Sequence, residues 1–189
     1  MCGRYNFSTE GSAALENIAL EVDGKYGSSS WRRGEIAPGA NAPILTSGGA
    51  DLFKWGYPTD RSLVINARAE TALEKRLFRG DIQLRRCVIP SAGFYEWDSE
   101  KKKHFFTLPN SRELYMAGIY SVFGGETRYC VLTTAANESM AKVHHRMPVV
   151  LTDSGVDSWL NAAGEYQRIL TAAPPQLESL CMDAQLSLW

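Results

Sequence analysis

The sequence predicts an α+β fold with a curved, largely antiparallel β-sheet and short flanking helices. The middle of the chain holds five short β-type segments separated by polar turns, a pattern typical of antiparallel strands that follow one another. Apolar residues recur at helical spacing on either side of these segments. The chain of 189 residues contains no repeat and no long linker, so we expect a single domain over residues 1–189.

The first part of the chain predicts a helix, a hairpin and a second helix. Ser8-Thr9-Glu10 is a typical helix cap, and we expect the first helix over about residues 10 to 22. Gly48-Gly49 lies between two extended segments and predicts a hairpin, and a short helix is predicted from Ala69 to Phe78. The apolar positions with helical spacing in the first helix are Ala14, Leu15, Ile18, Ala19 and Val22.

The second part of the chain turns to strands and ends on a helix. A short helix near Glu138 to Val143 and a strand at Val149 to Leu151 follow the five central strands. A last helix, capped by Asp153 or Ser154, carries an apolar face around Trp159. The five predicted central strands are Cys87 to Ile89, Gly93 to Trp97, His104 to Leu108, Leu114 to Tyr120 and Tyr129 to Thr133.

Composition narrows the class of protein. A net charge of -1 and a pI near 6.3 argue against coating of nucleic acid by bulk charge, although a local basic groove stays compatible with them. The four cysteines are far apart and form no zinc spacing with the three histidines, so we expect no metal, cofactor or disulfide framework. No apolar run approaches the roughly 20 residues of a membrane span. We therefore expect a cytoplasmic monomer without membrane association.

Cys2 is the most unusual placement in the chain. Once Met1 is removed, Cys2 carries a free amine and a thiol on neighbouring carbon atoms. An amine with a pKa near about 7.8 and a thiol near about 8.5 are both partly nucleophilic at neutral pH. This pair condenses with an aldehyde, first to a Schiff base and then to a thiazolidine, and a ring-opened abasic deoxyribose is such an aldehyde. The alternative is that a cysteine beside the first residue stands there by chance.

Polar residues stand among apolar or aromatic ones at three further places. Asn66 comes just after the apolar run Leu63-Val64-Ile65, and strand ends are common places for sites. Glu96 lies between aromatic residues, which suits a general acid or base unless strand alternation turns it outward. His144 and His145 precede an apolar strand, and only one of them can face a given pocket if the backbone is extended there. His104 has bland neighbours, and we expect it at the surface.

Two features are compatible with nucleic acid. Basic clusters occur along the chain, and most such clusters are solvated faces. Trp55-Gly56-Tyr57-Pro58 offers aromatic rings that can stack on unpaired bases, although an aromatic residue at the end of a hairpin is more often part of the core. The basic clusters are Arg32-Arg33, Lys75-Arg76 with Arg79, Arg85-Arg86, Lys101 to Lys103, and Lys142 with Arg146.

Six blocks of the sequence, in the same order, resemble the SRAP family, the SOS-response-associated peptidases whose members shield abasic sites in single-stranded DNA. The resemblance covers most of the chain. The blocks are Met1-Cys2-Gly3-Arg4-Tyr5, Ala37-Pro38-Gly39, Trp55-Gly56-Tyr57-Pro58, Asn66-Ala67-Arg68-Ala69-Glu70-Thr71, Arg86-Cys87-Val88-Ile89-Pro90 with Gly93-Phe94-Tyr95-Glu96-Trp97, and His144-His145-Arg146-Met147-Pro148.

The resemblance implies roles for individual residues. It implies that Cys2 is the covalent nucleophile, that Asn66 and Glu96 shape and protonate the site, and that His144 assists proton transfer. His144 is preferred because the family places its histidine two residues before the arginine of the R-M-P triplet, and the position between them, here His145, is often acidic in the family. The residues implied to bind DNA are Arg4, Arg68 and Arg146 at phosphates, with Pro38, Trp55 and Pro58 lining the strand.

The implied partner is single-stranded DNA that contains abasic sites, and two other functions stay open. A thiol peptidase would use Cys2 as nucleophile and His144 as base, and would act at least once to release Met1. A non-covalent single-strand binder would use the arginines and tryptophans while Cys2 stays inert. Salt concentration distinguishes the non-covalent binder from a covalent mechanism. Electrostatic binding weakens as the salt concentration rises, whereas a covalent thiazolidine is unaffected.

Overall fold

The computed structural model describes residues 2–161 and 164–182. In this part of the chain, mostly antiparallel strands are accompanied by a few short helices, so the predicted α+β class is confirmed. The helices are α1 (Ala13–Tyr26), α2 (Ala69–Ala72), α3 (Arg79–Leu84), α4 (Asp153–Asn161) and α5 (Glu165–Thr171). The strands are β1 (Arg4–Phe7), β2 (Gly34–Ile36), β3 (Asn41–Thr46), β4 (Gly49–Trp55), β5 (Tyr57–Pro58), β6 (Leu63–Val64), β7 (Asn66–Arg68), β8 (Arg86–Ser91), β9 (Gly93–Trp97), β10 (Lys103–Thr107), β11 (Leu114–Phe123), β12 (Glu126–Ala135), β13 (Arg146–Pro148), β14 (Val150–Leu151) and β15 (Glu178–Cys181).

The strands form two main sheets where the sequence predicts one. The first sheet has the order β15-β10-β9-β1-β2 and is antiparallel throughout. In the second, β12 pairs with both β4 and β11, which closes β12, β4, β3, β8 and β11 into a ring. Closure is possible because β11 and β12 each have 10 residues and pair with different neighbours along their length. Strands β13, β14 and β7 attach to this ring, and β5 pairs with β6 alone.

Alternate residues of the ring strands enter two separate hydrophobic clusters. In β12, Tyr129 and Val131 belong to the first cluster, whereas Cys130 and Leu132 belong to the second. This period of two is the expected consequence of a strand with both faces buried. The first cluster also takes in residues of the first sheet, of α1, and Cys2 itself. The start of the chain is therefore packed where the two sheets meet.

Helix boundaries are where the sequence predictions need most correction. α1 begins at Ala13 because Ser12 supplies the cap: its Oγ accepts a hydrogen bond of 3.0 Å from the backbone N–H of Leu15. The predicted helix from Ala69 to Phe78 is wrong in extent, since α2 ends at Ala72 and a separate α3 follows. The last predicted helix is confirmed as α4, but its cap is Thr152 and not Asp153 or Ser154, because Thr152 Oγ1 accepts from the N–H of Gly155 at 3.2 Å.

The predicted helix near Glu138 to Val143 is wrong, because this segment forms hydrogen-bonded turns. Asn137 explains the difference. Its Oδ1 accepts from the N–H of Ser139 at 3.1 Å, while its Nδ2 donates to the carbonyls of Pro174 and Pro175 at 3.1 and 2.8 Å. An asparagine with these bonds competes with the helical pattern of the backbone. The turns place His144 directly before β13.

The central strands are all confirmed, with ends that shift by one to a few residues. The sequence pattern misses α5 and β15, which lie beyond the segment where apolar residues alternate clearly. None of the helices in the described part of the chain is long and apolar enough to cross a membrane.

Candidate functional site

Cys2 is fully buried at the junction of the two sheets. Its carbonyl oxygen accepts a hydrogen bond of 3.0 Å from Asn66 Nδ2, and its Sγ lies 3.9 Å from the carbonyl oxygen of Arg4. Burial raises the pKa of the Cys2 thiol, and the negative charge of Glu96 raises it further. The thiol is therefore neutral at physiological pH in this form of the chain, and its use as a nucleophile requires a nearby base.

Asn66 is held by a backbone that is fixed on both sides. It is the first residue of β7 and pairs with Val131 of β12, while the preceding Ile65 carbonyl accepts from the indole N–H of Trp55 at 3.0 Å. Its Oδ1 is buried and has no hydrogen-bond partner among residues 2–161 and 164–182. The side chain thus binds Cys2 through its donor end and leaves an acceptor for a group that arrives beside it.

Glu96 faces the interior, so the outward alternative that strand alternation allowed is excluded. Its side chain shares a face of β9 with Phe94 and the whole residue is 4% exposed. Its Oε1 lies 4.0 Å from Nδ1 of His144. Glu96 also acts on the Cys2 thiol through its charge. The structure thereby brings together three of the four residues predicted as catalytic, and Asn66 joins them through its bond to Cys2.

The His144 ring is held in a defined orientation and favours its neutral form. The backbone N–H of Arg146 donates to His144 Nδ1 at 2.9 Å, so the neutral ring carries its proton on Nε2. Burial lowers the pKa of His144, the charge of His145 also lowers it, and Glu96 opposes them. A neutral imidazole is the protonation state that a general base needs at physiological pH.

His145 stacks on His144, with ring centroids 4.4 Å apart and an angle of 25° between the rings. The expectation that adjacent histidines face different ways does not hold here, because it assumed an extended backbone and the chain bends at His145. The His145 ring is exposed and covers the His144 ring from the solvent side. The site therefore contains a pair of imidazoles in direct contact.

His104 is a residue of this region that the sequence pattern misplaces at the surface. It lies directly opposite Glu96 in the register of β9 and β10, on the same face, and its side chain is only 15% exposed. Its Nε2 lies 3.0 Å from Asp98 Oδ2. The signal that would have found it is the hairpin register, which places His104 beside Glu96 once the turn between β9 and β10 is known.

Two of the three predicted phosphate-binding arginines are engaged by carboxylates. Arg4 Nη1 donates to Glu35 Oε1 at 2.6 Å. Arg146 binds Glu70 through both terminal nitrogens, at 2.6 and 2.8 Å, and its side chain is largely buried. Arg68 is exposed. Any phosphate contact of Arg4 or Arg146 must therefore compete with a carboxylate.

The residues predicted to line the DNA strand differ in their exposure. Pro58 is exposed and Pro38 is half-buried. Trp55 is fully buried, with its ring stacked on Tyr129 at 6.1 Å, a position that favours a role in the core over the predicted role of lining the strand. Trp97 is 38% exposed and follows Glu96 directly, and strand alternation could have identified it, since an inward Glu96 turns Trp97 outward.

In the described part of the chain, no group of three or more His, Cys, Asp or Glu residues is arranged to hold a metal ion.

Comparison with known proteins gives a consistent result. The model of the family described as SOS response associated peptidase (SRAP) matches residues 1–184. The abasic site processing protein YoqW of Bacillus subtilis (strain 168) is 33% identical over 184 residues, covering 85% of this chain and 80% of the relative. The abasic site processing protein YedK of Escherichia coli (strain K12) is 31% identical over 176 residues, covering 85% and 79%. A crystal structure of a protein from Bacteroides thetaiotaomicron is similar with a TM-score of 0.79 at 25% identity, covering 95% of this chain and 91% of that one.

Proposed function

The chain belongs to the SOS response associated peptidase (SRAP) family, and on that premise we propose that it processes abasic sites in DNA by forming a covalent adduct through Cys2. The observation that carries the proposal is the convergence of Asn66, Glu96 and His144 on the buried Cys2. The relatives named as abasic site processing proteins support the substrate class.

Removal of Met1 is the first step, because it frees the α-amine of Cys2. Asn66 Nδ2 already binds the carbonyl of the same residue, and its Oδ1 is buried without a partner in the described part of the chain. The freed amine then has an acceptor within one residue of its position. This bond holds the amine toward the incoming aldehyde and accounts for the role we assign to Asn66.

The chemistry proceeds in two additions that release one water molecule. The Glu96 carboxylate accepts the proton of the anomeric hydroxyl and returns it to the ring oxygen of the abasic sugar, which opens the ring to the aldehyde. The Cys2 amine attacks the aldehyde carbon, and loss of water gives a Schiff base. The Cys2 thiol then adds to the Schiff-base carbon and closes a five-membered thiazolidine, while the thiol proton passes to neutral His144. The raised pKa of the thiol makes this base necessary.

The surface around the site suits a single strand of DNA. Trp97 is exposed beside Glu96 and offers a ring for a base, a role that the buried Trp55 cannot fill. Arg4 and Arg68 are exposed cations near the start of the chain and at the end of β7. We assign to them the phosphates that flank the lesion.

Two further activities follow from the same chemistry. If the Schiff base loses a proton from the neighbouring sugar carbon before the thiol closes the ring, β-elimination breaks the strand, which is lyase activity. A peptidase reaction at the Met1–Cys2 bond would use the same thiol. A buried thiol with a raised pKa is poorly suited to repeated hydrolysis of other proteins, so we place peptidase activity, if it occurs, at this single bond.

The test is intact mass, under denaturing conditions, of the purified protein alone and after incubation with an oligonucleotide that contains one abasic site. We expect loss of Met1 and a denaturation-resistant adduct equal to protein plus oligonucleotide minus one water. Cys2→Ala should abolish the adduct, whereas the control Cys181→Ala, at a partly exposed cysteine of β15, should leave it. A processed chain without adduct would refute the covalent function.

A further inference from the structure

The outer face of the first sheet carries cations beside aromatic rings. Arg4 and Tyr95 lie directly opposite each other on β1 and β9, and Trp97 lies opposite Lys103 on β9 and β10. Strand alternation turns these side chains away from Glu96, which faces the interior. We call Arg4, Tyr95, Trp97 and Lys103 the outer-face cluster. Arg4 connects this cluster to the chain start at Cys2.

Glu35 of β2 binds both cations of the outer-face cluster. Its Oε1 accepts from Arg4 Nη1 at 2.6 Å, and its Oε2 accepts from Lys103 Nζ. The contact with Lys103 lowers the pKa of the Glu35 carboxyl most, with Arg4 adding to it, so the group stays ionised at neutral pH. A carboxylate that gives one oxygen to each of two cations has the charge and acceptor pattern of a phosphodiester with two free oxygens.

The aromatic part of the cluster has the composition of a single-strand binding surface. Lys103 Nζ lies 4.0 Å from the centroid of the Tyr95 ring and 5.6 Å from the centroid of the Trp97 ring. Surfaces that bind single strands combine rings for the bases with cations for the backbone. The same outer face continues into an open cleft of about 870 Å³ that Asn6 and Phe105 line, which leaves room for nucleotides beyond the lesion.

We propose that Glu35 is a built-in competitor of the DNA backbone, which occupies Arg4 and Lys103 in the free protein and is displaced by a phosphodiester of the bound strand. The inference rests on the proposed function, because the ligand is the strand that adjoins the abasic site. Its consequence is specificity. Competition keeps binding to undamaged strands weak, so that lasting capture depends on the covalent step at Cys2.

The salt dependence of binding reports the competition. When DNA displaces Glu35, the freed carboxylate takes up cations from solution, which offsets part of the counterion release from the strand. Glu35→Gln removes that offset, so the magnitude of the slope of log affinity against log salt should increase by up to about 0.7, the contribution of one neutralised phosphate in a single strand. The affinity of the variant for an undamaged strand at low salt should rise by about two- to tenfold.

Glu126→Gln is the matched control. Glu126 is held by two cations, Lys54 at 2.9 Å and Arg128, in the same manner as Glu35, but on the ring of the second sheet. Both variants change the net charge by the same amount, so a general electrostatic effect would appear in both. Only the local competition distinguishes Glu35 from Glu126.

The experiment is fluorescence anisotropy with a labelled, undamaged oligothymidylate at several chloride concentrations, for the processed wild-type chain, both variants, and Lys103→Ala with and without Glu35→Gln. We expect an increase in affinity for Glu35→Gln that exceeds that of Glu126→Gln and falls by at least half in the Lys103→Ala background. Equal effects of the two glutamine variants, or an increase that Lys103→Ala leaves undiminished, would overturn the competition.

Formation of the adduct with an abasic oligonucleotide separates this inference from the function on which it rests. A wild-type chain that forms the adduct, with no excess affinity for Glu35→Gln, overturns the competition alone. A wild-type chain that forms no adduct, with the expected increase in affinity for Glu35→Gln, overturns the covalent function and supports the competition.

Discussion

Asn66 Nδ2 donates a 3.0 Å hydrogen bond to the carbonyl oxygen of Cys2, and through β7 this bond ties the start of the chain to Val131 in the ring of the second sheet. The amide offers two functional groups, since Nδ2 donates to Cys2 and the buried Oδ1 is an acceptor without a partner in the described part of the chain. A carboxylate in this position would lose the donor. An apolar residue would lose both.

Asn66→Ala should slow adduct formation by about fivefold, because one hydrogen bond contributes about 1 kcal/mol and 1.4 kcal/mol corresponds to a factor of ten. Asn66→Asp should be slower still, since it replaces the Nδ2 donor by a carboxylate oxygen that faces the carbonyl oxygen of Cys2. Single-turnover rates with an abasic oligonucleotide measure both effects. Asn41→Ala is the control: this residue is exposed, its Nδ2 bonds the Ser30 carbonyl at 3.3 Å, and its loss should leave the rate unchanged.

Glu96→Gln keeps the shape of the side chain and removes the carboxylate that transfers the proton in ring opening. We expect adduct formation to slow by about 100-fold, in the range typical of general acids and bases. Comparison with a pre-opened aldehyde, such as a short aliphatic aldehyde, locates the defect, because that substrate needs no ring opening and should be affected much less. Glu178→Gln on β15 is an exposed control. An equal loss with both substrates would remove ring opening from the role of Glu96.

The residues that we propose as catalytic could be named from the sequence, whereas the surroundings of the site could not. Residue type and spacing single out Cys2, and the family pattern singles out His144. The burial of Trp55 and the position of His104 opposite Glu96 depend on pairings between strands that are distant in sequence. Carboxylates that hold Arg4 and Arg146 are likewise separated from them by 31 and 76 residues. No local pattern encodes such contacts, because they arise only when the sheets close.

Trp97 and Trp55 should give opposite phenotypes. Trp97→Ala should weaken binding of an undamaged single strand by about 1 to 3 kcal/mol, the contribution of one stacked base, with little effect on unfolding. Trp55→Ala should lower the free energy of unfolding by about 3 to 5 kcal/mol, because the ring is fully buried against Tyr5 and Tyr129. Urea unfolding and anisotropy on the same preparations measure both quantities. A loss of DNA affinity in fully folded Trp55→Ala would instead indicate that this residue lines the strand.

The stacked imidazoles of His144 and His145 predict the pH dependence of adduct formation. The pKa of His144 is lowered mainly by burial, with only a small contribution from the charge of His145, while Glu96 and the backbone of Arg146 oppose the shift. A lowered pKa means that His144 loses its proton at lower pH than an ordinary histidine, so the neutral base persists further into acid. The rate should fall only when the pH drops below that lowered value.

The acid limb of the pH–rate profile is the range of low pH in which the rate falls. Substitution at position 145 should shift this limb in a direction that the charge of the new side chain determines. His145→Glu places a negative charge against the His144 ring, which stabilises the imidazolium, raises the pKa of His144 and shifts the limb to higher pH. His145→Phe keeps an aromatic ring without charge and should shift the limb upward by less. Rates between about pH 5 and pH 8, together with NMR titration of the His144 ring, measure the shift. An acid limb in His145→Glu that coincides with that of the wild type would show that His145 does not control the protonation of His144.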